Sequence, residues 1–162
     1  MTQSAELFPL QNLKLLRFPL HKVAQRELLV MEAEGESKQP LPYVPRRIFT
    51  VRAKIDGEHG GAHAHYYCQQ LLLPLIGEID VICRGLEGES SDKSAIIGER
   101  RFILSDPNQG LLIPAGIWGE QIYRKNGDLL LVLCDLIYDP QDYMRDWQKY
   151  VEWVKITAAQ SL

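Results

Sequence analysis

The stretch that decides the fold is Gly60-Gly61-Ala62-His63-Ala64-His65-Tyr66-Tyr67-Cys68-Gln69-Gln70, which carries two histidines at alternate positions. Successive side chains of a β-strand point to opposite faces, so His63 and His65 are predicted to project into the same space. A second turn signal lies farther on, in Pro114-Ala115-Gly116-Ile117-Trp118-Gly119-Glu120. Two imidazoles that meet inside a small β-barrel indicate either a metal site or acid–base chemistry.

The composition is that of an ordinary globular protein. The chain has 162 residues, 46% of them hydrophobic, and a formal net charge of −3. This length predicts one domain over residues 1–162 with a full hydrophobic core. The Lys and Arg residues are scattered, which argues against a nucleic-acid partner. An anionic ligand remains compatible with the small negative charge, because a few local donors can outweigh it.

The cysteines and the apolar runs predict a cytoplasmic protein without a membrane segment. Cys68, Cys83 and Cys134 are odd in number and widely separated, so they do not form the pattern of a disulfide framework. We expect buried, reduced thiols. The N-terminal segment lacks a signal-peptide layout, and no apolar run approaches the roughly 20 residues of a membrane span.

Short strand-like runs separated by turn signals recur along most of the chain and predict an all-β sandwich or barrel. The predicted turns are Gly35–Pro40, Asp56-Gly57 and Lys125–Asp128, and Gly85–Lys93 is predicted to be an exposed loop. The predicted strands are Leu13–Leu20, Glu27–Glu34, Arg46–Lys54, Ala62–Pro74, Glu78–Arg84, Ala95–Leu104, Leu111–Ile113, Glu120–Tyr123 and Leu129–Ile137.

Near the C-terminus the pattern changes to that of a short amphipathic α-helix over about residues 140–155. Asp139 is the predicted N-cap and Pro140 the first helical residue, with Asp142 in the first turn. We interpret the aromatic stripe of this helix as core packing rather than as a ligand site. Its members recur at three- and four-residue steps and are Tyr143, Trp147, Tyr150, Val151 and Val154.

The spacing of the two motifs resembles that of the cupin superfamily, whose fold is a double-stranded β-helix, or jelly-roll, barrel. His63 and His65 occupy two of the four positions that hold metal ligands in cupins, whereas Gln70 and Gly119 occupy the others. A divalent transition metal needs three or four good donors, and neither a neutral amide nor a glycine replaces a carboxylate or an imidazole. We therefore expect no metal and no cofactor.

Within the cupins, the chain resembles the nucleotide-sugar 3,4-ketoisomerases of the WxcM-like and FdtA type. The resemblance runs from about Leu15 to Trp153. Its most specific part is the combination of His-Ala-His with Gly-Ile-Trp and an unusual tail. The matching stretches are Arg26–Val30, Pro45–Phe49, Gly61–His65, Gly77–Val81, Gly110–Trp118 and the tail Tyr138–Trp147.

The resemblance implies a metal-free isomerase that forms a homodimer and acts on a nucleotide-linked 4-keto-6-deoxy sugar, with a dTDP-sugar as the expected ligand. One of the two histidines removes the proton beside the ketone and returns it to the neighbouring carbon, and we favour His65 slightly over His63. Imidazole suits this role because it takes and returns a proton at neutral pH. The expected substrate-binding residues are Arg47, Arg52, His59, Tyr66, Gln70 and Trp118.

Two departures from the family pattern keep a second interpretation open. Members of the family usually carry Arg at the position of Gly60, and His or Arg at the position of Gly119. The alternative is a cupin that binds a nucleotide sugar or carbohydrate without catalysis. A metal-dependent oxygenase or isomerase is disfavoured by Gln70 and Gly119, and core packing competes with ligand stacking at Trp118.

Overall fold

The structure is a computed structural model that describes residues 9–89 and 95–160. Within these residues the chain forms twelve strands, one α-helix and two 3₁₀ turns, at Leu10–Asn12 and Pro140–Asp142. The elements are β1 Lys14–Arg17, β2 Leu20–Val23, β3 Arg26–Leu29, β4 Arg47–Arg52, β5 Glu58–His65, β6 Gln70–Ile76, β7 Ile79–Glu89, β8 Ala95–Leu104, β9 Gln109–Ile113, β10 Trp118–Tyr123, β11 Leu129–Cys134, β12 Tyr143–Met144 and α1 Trp147–Gln160.

Two five-stranded antiparallel sheets form the barrel. The first has the order β1-β9-β6-β11-β4 and the second the order β12-β5-β10-β7-β8, while β2 and β3 form a separate hairpin. Non-consecutive strands are neighbours in both sheets, as the crossed connections of a jelly roll require. The predicted double-stranded β-helix with a C-terminal helix is confirmed.

The largest hydrophobic core lies between the two sheets. Leu72 and Val132 of the first sheet contact it from one side, and Val81 and Tyr123 of the second from the other. The strands β6 and β11 are also covered on their outer face, where Leu71 and other leucines pack under the N-terminal segment. The two central strands therefore read as continuous apolar runs, because both of their faces are buried.

The predicted strand Ala62–Pro74 is wrong, since the chain turns a corner in its middle. Strands β5 and β6 belong to different sheets and are separated by residues 66–69. The backbone N–H groups of Tyr67 and Cys68 at this corner donate to the carboxylate of Asp142. A distant side chain thus replaces the ladder hydrogen bonds that a continuous strand would have made. Likewise, the strands predicted at Leu13–Leu20 and Glu27–Glu34 are shortened, with β1 ending at Arg17 and β3 at Leu29.

Two further predictions differ from the structure. The predicted loop Gly85–Lys93 is strand β7 as far as Glu89, and its residues 90–93 lie outside the described residues. The C-terminal helix is α1 at Trp147–Gln160 instead of about 140–155, because Asp139 caps only a 3₁₀ turn. The side chain of Asp146 caps α1 by accepting from the Lys149 N–H at 3.0 Å. In the described residues, no helix has the length and apolarity needed to cross a membrane.

Candidate active site

A β-bulge in β5 sets the direction of the two histidines. Gly119 of β10 pairs with His63 and Glu120 pairs with Gly61, so Ala62 has no partner opposite it. The backbone angle φ is 74° at Gly61 and 56° at Ala62, in the left-handed region that a residue with a Cβ seldom adopts. Such a bulge re-aims the side chains that follow it. His63 and His65 both line one small cavity of the barrel interior.

His65 forms a buried pair with Asp142. The distance from Nδ1 to the Oδ2 of Asp142 is 2.8 Å, and the two residues are 6% and 7% exposed. An ionised carboxylate only accepts hydrogen bonds, so neutral His65 carries its proton on Nδ1. Its Nε2 is then an unprotonated acceptor, and this buried atom has no hydrogen-bond partner among the described residues.

His63 stands beside His65, with ring centroids 5.0 Å apart in an edge-to-face arrangement. Burial lowers the pKa of His63 to about 4, and the charges of His65 and Arg145 act in the same direction, against a backbone hydrogen bond at Gly61. At neutral pH His63 is therefore an uncharged imidazole.

The cavity at the two histidines has a volume of about 10 Å³, room for roughly one water molecule. Gln70 and Gln121 bring amide groups to it, and the Gln70 Nε2 lies 3.8 Å from the Cys134 Sγ. Gly119 also lines it. A Cβ at Gly119 would stand 3.6 Å from Ile113 Cδ1 and 3.8 Å from Gln121 Nε2, which are ordinary contacts. This glycine therefore leaves free a space that a side chain would fill.

Two arginines and two tyrosines surround the same end of the barrel. The Arg47 guanidinium donates to the Tyr143 hydroxyl at 3.0 Å and stacks on the Tyr138 ring at 4.9 Å. The Arg145 guanidinium lies 4.1 Å from the Tyr143 ring centroid, and that ring is 4.3 Å from the His65 ring. Two positive charges are thus held next to the histidines on aromatic surfaces.

Two predicted binding residues lie in the core under the C-terminal helix. Trp118 is 3% exposed, and its ring centroid is 5.4 Å from that of Tyr150. Tyr66 packs edge-to-face against Trp153 at 5.5 Å. Because alternate residues of β10 face opposite sides, Trp118 points away from the cavity that Gly119 lines. The structure supports core packing for both aromatics.

Two other predicted binding residues lie apart from the cavities. In β4, the half-buried Arg47, Phe49 and Val51 alternate with exposed residues, and Arg52 belongs to the exposed set. His59 is exposed near the start of β5, before the bulge. Of the predicted substrate-binding residues, Gln70 lines the cavity at the histidines, and Arg47 contacts Tyr143, whose ring packs on both histidines.

Asp142 is the main site residue that could not be identified from the sequence. The Pro140 signal assigned it to the first turn of an α-helix, whereas it is the last residue of the 3₁₀ turn Pro140–Asp142 that leads into β12. Strand β12 pairs with β5, with Tyr143 opposite His65, and this pairing brings Asp142 to the histidines. The signal in the sequence was the unusual tail itself, with Asp142, Tyr143 and Arg145 close together.

The donor atoms of His65, Cys68 and Asp142 lie within 4.8 Å of one another, a spacing at which three ligands can hold a metal ion. Both carboxylate oxygens of Asp142 already accept hydrogen bonds, however, from His65 and from the N–H groups of Tyr67 and Cys68. The donor set therefore fits a hydrogen-bonded His–Asp pair better than a metal centre.

A jelly-roll barrel with a buried His–Asp pair, and with Arg47 and Arg145 packed on the neighbouring tyrosine, defines a cupin-type protein. Residues 11–155 match the FdtA family model, described as WxcM-like, C-terminal. The chain therefore belongs to the FdtA family, as the sequence resemblance indicated.

Known relatives agree in sequence and in fold. A TDP-4-oxo-6-deoxy-α-D-glucose 3,4-oxoisomerase of Aneurinibacillus thermoaerophilus is 26% identical over 119 residues, which are 74% of this chain and 78% of the relative. The crystal structure of QdtA, a sugar 3,4-ketoisomerase from Thermoanaerobacterium thermosaccharolyticum in complex with TDP, has a TM-score of 0.75 and 24% identity and covers 91% of this chain and 97% of its own.

A histidine-to-asparagine variant of QdtA in complex with TDP-4-keto-6-deoxyglucose gives a TM-score of 0.75 at 23% identity, covering 91% of this chain and 96% of that one. At these identities the structural likeness establishes the fold, and the activity has to be argued from the site.

Proposed function

We propose that the protein is a metal-independent isomerase of a nucleotide-linked 4-keto-6-deoxy sugar. The observation that carries this proposal is the His65–Asp142 pair with an unpartnered Nε2. Nε2 of His65 removes the proton on C3, a C3–C4 double bond forms, and the negative charge moves to O4. The imidazolium returns the proton to C4 while the proton of O3 passes to O4, so O4 becomes a hydroxyl and O3 becomes the new carbonyl oxygen.

His65 is a better candidate for the base than His63. The Asp142 carboxylate stabilises the imidazolium that forms on His65 and holds the ring in one tautomer. Among the described residues His63 forms no pair with a carboxylate, and burial lowers its pKa to about 4, which makes it a weaker base at neutral pH. We assign His63 to contact with the sugar.

The remaining polar groups suit an anionic transition state and an anionic substrate. The amides of Gln70 and Gln121 line the cavity and are the candidate donors for the enediolate oxygen. Arg47 and Arg145 are the candidate ligands for the diphosphate, since guanidinium groups pair well with phosphate oxygens. The relatives are known with TDP and with a TDP-4-keto sugar, which supports a dTDP-sugar as the ligand.

One observation favours the second candidate, a nucleotide-sugar-binding cupin without catalysis. The Nε2 of His65 is buried in a cavity of about 10 Å³, so a sugar carbon reaches it only after the surrounding side chains move. Gly119 also supplies no side chain at the reacting position. The binding role needs only the arginines and tyrosines beside the histidines.

We also propose a homodimer in the cytoplasm. The hairpin β2–β3 pairs only with itself within the described part of the chain, and it exposes Val23 and Leu28. Isolated two-stranded hairpins are marginally stable in water, so a covering partner is expected. The three cysteines are unpaired and buried, which suits a reducing compartment.

The test is hydrogen exchange in heavy water with TDP-4-keto-6-deoxyglucose and chelator-treated protein. We expect the wild type to incorporate deuterium at the reacting carbons and His65→Asn to lose roughly 10²-fold or more of that rate, the scale of losing a general base. His59→Asn, on the exposed part of the same strand, is the matched control and should keep the rate.

Calorimetric titration with TDP separates the two functions. Binding of TDP without exchange above the level of His65→Asn would establish the binding module and refute the isomerase. Exchange that disappears on chelation and returns with a divalent metal would refute the metal-independent reaction.

A further inference from the structure

A second cavity of about 110 Å³ adjoins the one at the histidines and shares His63, Gln70 and Gln121 with it. We call it the inner chamber. Both sheets contribute residues to its lining, and most of the lining surface is apolar. The apolar side chains are Phe49, Val51, Leu72, Leu130 and Val132.

One polar group in the inner chamber has no partner. Tyr123 is 1% exposed, and its hydroxyl makes no hydrogen bond among the described residues. Burial raises the pKa of this phenol to about 12, so it is a protonated donor at neutral pH. Buried hydroxyls without a partner are uncommon because their desolvation is uncompensated. A ligand atom that accepts from Tyr123 would supply that partner.

Gly60 leaves open the space beside the ring and the hydroxyl of Tyr123. A Cβ at this position would lie 3.2 Å from the Tyr123 ring and 3.8 Å from its hydroxyl oxygen. Any longer side chain would therefore occupy the space in front of Tyr123. Because Gly60 has no side chain, that space is left to a ligand.

The size and lining of the inner chamber define what fits. An apolar cavity of about 150 Å³ in another protein stays dry and binds benzene, so a chamber of about 110 Å³ that adjoins a second cavity suits a single-ring group of roughly six or seven heavy atoms. The polar residues His63, Gln70 and Gln121 are shared with the first cavity. Away from them, a group rich in hydroxyls would leave several hydroxyls unpaired against five apolar side chains. An apolar group with a single oxygen matches both the walls and Tyr123.

We propose that the inner chamber is a binding compartment for a compact apolar group carrying one hydrogen-bonding oxygen, and that it selects nucleotide sugars bearing such a substituent. The selection of sugars rests on the proposed function. The compartment itself does not, because it is defined by its lining and by the Tyr123 hydroxyl.

The compartment is tested with phenol and toluene as probes, measured by ligand-observed NMR and calorimetry. We expect both to bind the wild type. Val51→Phe, which places a larger ring in the inner chamber, should weaken both at least tenfold. Ile48→Phe, on the exposed face of the same strand, is the matched control and should leave both affinities unchanged.

Tyr123→Phe tests the oxygen. We expect phenol to lose about fivefold in affinity, the scale of one hydrogen bond, while toluene binds as before and shows that the chamber is intact. Equal phenol affinity in the wild type and Tyr123→Phe would overturn the role of the hydroxyl. Absence of probe binding, or binding that Val51→Phe leaves unchanged, would overturn the compartment, and neither result bears on the exchange assay.

Discussion

Asp142 carries the clearest prediction at the scale of single residues. Asp142→Asn keeps the size of the side chain but removes the charge that stabilises the His65 imidazolium. We expect kcat for isomerisation to fall by roughly 10²-fold or more with little change in KM, because the loss concerns the charged transition state. Steady-state kinetics measures both values. Asp139→Asn, an exposed cap that Asn can replace, is the control.

The positioning role of Asp142 fails if Asp142→Asn and Asp139→Asn have equal kcat values. A rise in KM alone would mean that Asp142 only shapes the corner at Tyr67 and Cys68. Its carboxylate also accepts hydrogen bonds from the backbone N–H groups of these two residues.

The lowered pKa of His63 predicts that the stability of the fold depends on pH. Its pKa is about 4 in the folded protein against 6.5 for the free side chain, so the unfolded chain binds the proton first as the pH falls. The free energy of unfolding should therefore decrease between pH 6.5 and 4 by up to roughly 3 kcal/mol from this group. Urea unfolding at a series of pH values measures it.

His63→Asn should flatten that slope, and His59→Asn on the exposed part of β5 should not. Equal slopes for wild type and His63→Asn would show that other groups cause the acid sensitivity.

At the scale of elements, α1 supports the site from behind through Tyr150. Its hydroxyl faces the carbonyls of Arg84 and Gly116, both at 2.9 Å, and the Gly116 N–H donates to the His65 carbonyl at 2.7 Å. Tyr150→Phe removes the one O–H donor that these two carbonyls share, so we expect a loss of about 1–3 kcal/mol in the free energy of unfolding. Tyr67→Phe, at an exposed ring, is the control for urea unfolding, and equal losses would contradict the prediction.

Strand β7 shows why one element was mispredicted. Gly85 and Gly88, with the polar residues around them, have the composition of a loop, yet Gly85 pairs with Gly98 and Leu86 with Ile97 of β8. Leu86 and Ile97 also pack against the cluster under α1. Cross-strand pairing and burial override a weak local preference for strand. A single sequence does not contain that information.

At the scale of the whole molecule, we expect a homodimer with twice the chain mass of 18.5 kDa by light scattering at micromolar concentration. Leu28→Glu should dissociate it, because it places a charge on the exposed apolar side of the β2–β3 hairpin. Ile156→Glu, at an exposed position on α1, is the control. A monomeric wild type would refute the proposal, and a dimeric Leu28→Glu variant would place the interface elsewhere.

The sequence by itself determined the barrel, the C-terminal helix and the family. It also identified the histidine pair, because alternation along a strand and motif spacing are local properties of the chain. Only the tertiary structure decided which groups join His65. The pairing of β12 with β5 brings Asp142 and Tyr143 to a histidine more than 70 positions away in the chain. The packing of α1 likewise holds Tyr66 against Trp153 and Trp118 against Tyr150, away from the two histidines. Contacts of this kind join distant segments, so they depend on the folded arrangement rather than on local pattern.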